Sequence, residues 1–155
     1  VASPHLVILV DELATLTAFA ERAVVRRIEH ALGLLLTQGR AVGITVIAAV
    51  QDPGKDVVSW RDLFPTRIAM RLDNPIQVDM VLGDGARERG ARADHISELT
   101  PGVAYVRVEG SRDVRRVRSA YLTDAEVLTL ASSLTDQKDE SDGPPEPKEY
   151  EGEAA

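Results

Sequence analysis

The sequence contains no cysteine in its 155 residues. That excludes a disulfide framework and a thiolate metal site, and it fits a reducing compartment. No apolar stretch approaches the roughly 20 residues that a membrane-spanning helix needs. A secretory signal is missing too, because the amino terminus has no basic region and runs straight into an apolar strand. There is no initiator methionine, and a chain that opens on a core strand reads as a piece of something longer. The net charge of −7 is concentrated at one end. From Asp136 onward acids outnumber bases by six, which leaves residues 1–135 almost neutral and the arginines clustered. The low overall pI therefore does not exclude a polyanionic partner. One domain's worth of chain, 44% of it hydrophobic, is enough to build a core.

The chain is organised around His5-Leu6-Val7-Ile8-Leu9-Val10-Asp11-Glu12. Its apolar run reads as a strand buried on both faces of a parallel sheet. Ligands of open α/β sheets bind at the carboxyl ends of the strands, where Asp11 and Glu12 stand. Two adjacent acids there suit the Walker B arrangement, in which the Asp helps hold Mg²⁺ and its neighbour orients or deprotonates the attacking water. The same pair also reads as a helix N-cap followed by a first-turn Glu.

Leu16, Ala20, Val24, Ile28, Leu32 and Leu36 then recur every four residues. This predicts one helix with Arg22, Arg26, Arg27 and Glu29 on its outer side and Gly39 at its end. A second apolar strand, Thr45 to Val50, ends in Gln51, so a parallel neighbour places that amide near Asp11 and Glu12. An amide there can hold the attacking water or sense the γ-phosphate, or it can simply satisfy the strand end. Asp52 to Asp62 is a loop carrying Lys55 and Arg61. A third strand, Arg67 to Leu72, alternates in polarity. Residues 76–82 form a short helix that Gly83-Asp84-Gly85 stops, and Arg87, Arg89 and Arg92 follow in a charged loop. Pro101-Gly102 opens a hairpin. Thr123-x-x-Glu126 has the capping-box form, which starts a last helix running to about Leu134. Residues 135–155 are too acidic and too rich in Pro and Gly to bury a core, and read as a disordered tail.

From about Leu6 to Val127 the sequence resembles the carboxyl-terminal half of the FtsK/SpoIIIE motor domain. Four motifs carry the likeness in order: the strand ending Asp11-Glu12, Gly39-Arg40-Ala41-Val42-Gly43-Ile44, the strand ending Gln51 with Pro53, and Pro65-Thr66-Arg67-Ile68-Ala69. The segments Gln51–Pro53, Asp62–Arg67 and Val78–Gly85 look like the actinobacterial TraB-like conjugative branch. The resemblance implies an α/β, RecA-like P-loop ATPase fold over residues 1–134, with a mainly parallel sheet followed by a hairpin and helix. It also implies ATP hydrolysis with Mg²⁺, a homo-oligomeric, hexameric ring and translocation of double-stranded DNA. The location it implies is cytoplasmic, with any membrane attachment made by upstream segments. Asp11 is then the metal ligand, Glu12 the base and Gln51 the sensor.

Two features depart from the family. No Gly-x-x-x-x-Gly-Lys-Ser/Thr motif occurs, so the phosphate cradle is expected upstream, and these residues alone are expected to be inactive. Asp79 stands where the family often carries an arginine, which leaves Arg67 or Arg40 as the charge acting in trans across a subunit boundary. Both arginines read equally well as structural ion-pair partners. A translocase grips backbone phosphates through loop cations, for which Lys55 and Arg61 are the first candidates and Arg87, Arg89 and Arg92 the second. The alternative readings are a P-loop ATPase that moves protein in secretion and a non-catalytic ATPase-like assembly module.

Overall fold

The structure, a computed structural model, describes residues 5–18, 20–54 and 61–139. They fall into two compact units that divide between Ser119 and Ala120.

In the first unit, β1 (Leu6–Val10) and β2 (Ile44–Ala48) pair in parallel, Leu6 opposite Ile44 and Val10 opposite Ala48. A parallel pair needs a crossover connection, made here by α1 (Ala14–Ala18) and α2 (Arg22–Gln38). The sequence predicted one helix across this stretch. The structure breaks it, because Glu21 takes an extended backbone (φ −61°, ψ 147°) as the N-cap of α2. The break leaves α1 a short turn tied to the end of β1, while Leu16, Ile28 and Leu36 still pack around buried Leu13 and Leu32. Val10, Ala48, Val50 and Phe64 complete that core.

The expectation that the first strand is buried on both faces is not met. Successive strand side chains point to opposite faces. Ile8 and Val10 are half-buried, whereas Leu9 is 74% exposed and Ile47, opposite it, 52%. The helices cover one face of the pair, and no described residue covers the other.

β3 (Arg67–Ala69) leaves the parallel pair and joins a separate antiparallel sheet with β4 (Val103–Arg107) and β5 (Val114–Arg118), in the order β3-β4-β5. Among the described residues the parallel part of the fold is thus two strands. α3 (Pro75–Leu82) packs on this sheet, and its fully buried Val78 and Leu82 meet Ala69, Tyr105, Ala86, Ala91 and Ala93. Asn74 starts the helix by accepting Gln77 N–H at 3.0 Å, and Pro75 occupies the first turn. At its other end two carbonyls left without helical partners are taken by arginines, and a third arginine caps a carbonyl of the turn that follows. Arg67 donates to Val81 O (3.3 Å), Arg107 to Leu82 O (2.8 Å) and Arg89 to Asp84 O (3.0 Å).

The second unit holds α4 (Asp124–Asp139). The expected capping box forms: Thr123 N–H and hydroxyl both donate to Glu126 Oε2, and Glu126 N–H donates back to Thr123 Oγ1. Those two donors hold the Glu126 carboxyl below its ordinary range. The helix passes the expected end at Leu134 because Thr135 to Asp139 contains neither Gly nor Pro. The rest of the acidic tail lies outside the described residues.

Candidate functional site

Beyond β1 and β2 the ladder continues into the site. Ala49 N–H donates to Val10 O at 2.9 Å, and Leu13 N–H donates to Ala49 O at 2.9 Å. This brings Asp11, Glu12 and Gln51 to one place, the shared carboxyl end of two adjacent parallel strands. The Glu12 carboxylate is held from both sides. Its Oε1 accepts Ala14 N–H at 2.9 Å, and its Oε2 accepts Gln51 N–H at 3.0 Å. Thr15 Oγ1 donates to Glu12 O at 2.7 Å, which closes the turn. Buried Leu13 anchors the chain directly behind the carboxylate. Each carboxylate oxygen keeps a second lone pair, so two backbone donors orient Glu12 without using up its ability to accept from water.

Asp11 is exposed and makes no hydrogen bond or ion pair among the described residues. Among those residues no three His, Cys, Asp or Glu side chains cluster as a metal cage. Mg²⁺ does not require one, since it is commonly held by one or two carboxylates, waters and substrate phosphates. The Asp11 carboxylate fits that donor set.

The other expected residues lie elsewhere. Arg40 follows α2 at the amino end of the strands, on the far side of the ladder from Gln51. It is exposed and pairs with Glu109. Arg67 is built into the fold. Its side chain is 12% exposed, its Nε donates to Phe64 O at 3.1 Å, and its Nη1 reaches Asp62 at 3.1 Å as well as Val81 O. Burial, followed by the nearby Arg107 charge, lowers its pKa. Arg61 Nη1 donates to Pro53 O at 2.7 Å, bracing the loop two residues beyond Gln51. Lys55 lies outside the described residues.

The second cationic loop is also tied down. Arg87 Nε and Nη2 both donate to Asp94 Oδ2, at 3.0 and 2.7 Å, and its backbone N–H donates to Asp79 Oδ1 at 2.8 Å. Asp79, which stands where the family often has an arginine, is a loop anchor here. Sequence reasoning passed over Arg107. It lies two positions from buried Tyr105, hence on the same strand face, and is in register with Arg67. An arginine in phase with a core aromatic was the available signal.

No family model matches the chain. Over 129 residues, 82% of its length, it is 32% identical to the DNA translocase FtsK of Haemophilus influenzae and spans 22% of that relative. Over 137 residues, 86% of its length, it is 31% identical to the DNA translocase FtsK of Caulobacter vibrioides and spans 15% of it. The chain therefore covers less than a quarter of either of these relatives. Its fold is similar to that of the pCW3 conjugation coupling protein TcpA in monomer form with ATPγS (TM-score 0.69, 22% identity, 86% of this chain and 37% of that one). It is also similar to the cytoplasmic domain of the Thermomonospora curvata Type VII secretion ATPase EccC (TM-score 0.60, 22% identity, 79% and 13%). Both solved structures are 22% identical to the chain, so they speak to fold alone. The four motifs, the FtsK relatives and this fold agree: the chain is an FtsK/SpoIIIE-like motor-domain segment with a partial RecA-like fold.

Proposed function

We propose that this chain is part of an ATP-driven motor that moves double-stranded DNA, and that it supplies the half of the active site handling metal and water. One observation carries the reading: Asp11, Glu12 and Gln51 meet at the ends of adjacent parallel strands, in a chain about a third identical to proteins named as DNA translocases. Asp11 would hold Mg²⁺ together with the nucleotide phosphates. Glu12, oriented by Ala14 and Gln51 N–H, would take the proton of the attacking water. The Gln51 side chain would respond to the γ-phosphate. The phosphate cradle, which these 155 residues do not contain, would come from another segment, and a charge supplied in trans would complete the site in a hexameric ring. Exposed Arg40 suits that last role better than Arg67, whose guanidinium is already committed within the fold.

The likeness to EccC favours one competing reading, a motor of the same fold that moves protein. Duplex DNA decides between them. ATP hydrolysis by the full-length protein should rise several-fold on addition of duplex DNA. A rate indifferent to DNA, yet raised by a protein cargo, would select the secretion reading.

A further inference from the structure

We propose that the cleft between the end of α3 and the β4–β5 hairpin binds a phosphate group. The cleft, about 330 Å³, is lined by Asp84, Arg89, Arg107 and Arg112. This is independent of the proposed cargo, since a phosphate site here is compatible with an ATPase that moves either DNA or protein.

The positive charge in this cleft is not neutralised. Elsewhere in the unit Arg67 pairs with Asp62, Arg71 with Glu98 and Arg87 with Asp94. Arg89, Arg107 and Arg112 form no ion pair among the described residues, and Asp84 pairs with none of them. The partners of Arg89 and Arg107 are neutral backbone carbonyls. Arg107 Nη1 donates to Leu82 O at 2.8 Å, while Arg89 donates to Asp84 O at 3.0 Å and to Arg112 O at 3.2 Å. Arg107 Nε is buried with no hydrogen-bond partner among the described residues. A buried donor without an acceptor is costly, and more so on a cation. Three guanidiniums lining one cleft without an ion pair suit an anion.

The backbone is shaped to bring them together. A Cβ at Gly83 would stand 2.2 Å from Arg107 Nη1, and one at Gly85 would stand 3.0 Å from Arg89 Nη1. A side chain at Gly83 would displace the Arg107 guanidinium, and one at Gly85 would press on that of Arg89. Because two of the three arginines are already fixed by carbonyls, little ordering remains to be done on binding. Guanidiniums suit phosphate oxygens through parallel N–H donors. The phosphate could belong to a nucleic-acid backbone or to a nucleotide. Exposed Arg116 on the adjoining edge strand, in register with Tyr105 and so on the same sheet face as Arg107, extends the positive surface, as a backbone would use.

The test is titration of the full chain with a short labelled duplex of mixed sequence over a range of salt concentrations, and separately with metal-free ATP. Each uses the wild type, Arg112→Glu and Arg112→Lys. Arg112 is the residue to change, because its guanidinium makes no hydrogen bond among the described residues, so the melting temperature should hold. If the phosphate is a nucleic-acid one, Arg112→Glu weakens duplex binding and lowers the slope of log K against log salt by about one per lost contact, while Arg112→Lys retains most of the binding. If it is a nucleotide one, Arg112→Glu weakens ATP binding and leaves duplex binding alone. Wild-type and Arg112→Glu chains that bind both ligands equally, or a wild type that binds neither, would overturn the proposal. A duplex slope lowered by Arg61→Ala but not by Arg112→Glu, with ATP binding also unchanged in Arg112→Glu, would overturn it too, while leaving DNA translocation standing.

Discussion

Glu12 Oε2 accepts the backbone N–H of Gln51 at 3.0 Å. The acid that ends one strand is thereby tied to the residue that ends the next, and neither can shift without the other. On the roles proposed above, a Gln51 side chain that follows the γ-phosphate would report through its backbone to the carboxylate assigned to the attacking water.

Glu12→Gln tests that relationship. Ala14 and Gln51 N–H reach opposite oxygens of the carboxylate, so in the amide one of them faces the NH₂ group and loses its acceptor. In the full-length protein, ATP turnover should fall about 10²–10⁴-fold through loss of the base, with ATP binding nearly unchanged. The lost backbone bond should cost about 0.5–1.5 kcal/mol of stability. Asp11→Ala should instead raise the Mg²⁺ concentration needed for half-maximal turnover and leave the melting temperature alone. Steady-state hydrolysis across Mg²⁺ concentrations separates the two, and wild-type turnover in Glu12→Gln would remove Glu12 from the base role.

Two glycines should respond in opposite directions to alanine. Gly83 has φ +94°, and a Cβ there would meet the Arg107 guanidinium. Gly83→Ala should destabilise the chain by about 1–3 kcal/mol, through strain and displacement of that arginine. Gly33 lies inside α2 with nothing within 4 Å of an added Cβ. Gly33→Ala should stabilise by about 0.5–1 kcal/mol. Urea melts of the two variants decide both.

Asp94 should give stability an acid limb. Its side chain is 6% exposed. Burial pushes its carboxyl up, but the Arg87 hydrogen bond, its own backbone N–H and the charges of Arg87 and His95 together hold it below its ordinary value of 3.8. A carboxyl depressed in the folded state contributes stability that is complete above its unfolded pKa and lost as pH falls through its folded one. The contribution should therefore be intact above roughly pH 5 and decline below pH 4. Asp94→Asn should lower the melting temperature near neutrality and flatten its fall between those values. A variant that tracks the wild type at every pH would show that the Arg87 pair adds nothing.

What the sequence made legible was local and short-range. Apolar runs located both parallel strands, and the polar residues terminating them located Asp11, Glu12 and Gln51, because a strand end is fixed by where the run stops. Asn74-Pro75 and Gly83 bounded α3, and Thr123 with Glu126 bounded the start of α4, because caps are written in one or two residues. The break before Arg22 was not legible, since the four-residue period runs through it unbroken. Nor was the separation of β3 from the parallel strands, which depends on its pairing with Val103–Arg107 some forty residues away. The three arginines on carbonyls at and just past the end of α3 were hidden for the same reason. Each comes from a different segment, and only the fold brings them together.

The last prediction concerns Arg61, which the sequence suggested as a phosphate contact. Its Nη1 is engaged with Pro53 O at 2.7 Å, and Pro53 is buried two residues after Gln51. A guanidinium spent on a carbonyl at the root of a loop is a brace for that loop, and through Gln51 N–H the brace reaches Glu12. Arg61→Ala should therefore lower basal ATP hydrolysis in the full-length protein together with its stimulation by DNA. The salt dependence of DNA binding should not change. A lost phosphate contact would reduce that slope by about 0.9. Arg61→Lys should recover part of the basal rate, because an ammonium can also donate to Pro53 O, though from a single point rather than a planar fork. If Arg61→Ala keeps the basal rate and loses both the stimulation and a unit of salt slope, Arg61 contacts DNA and the Pro53 bond gives way on binding.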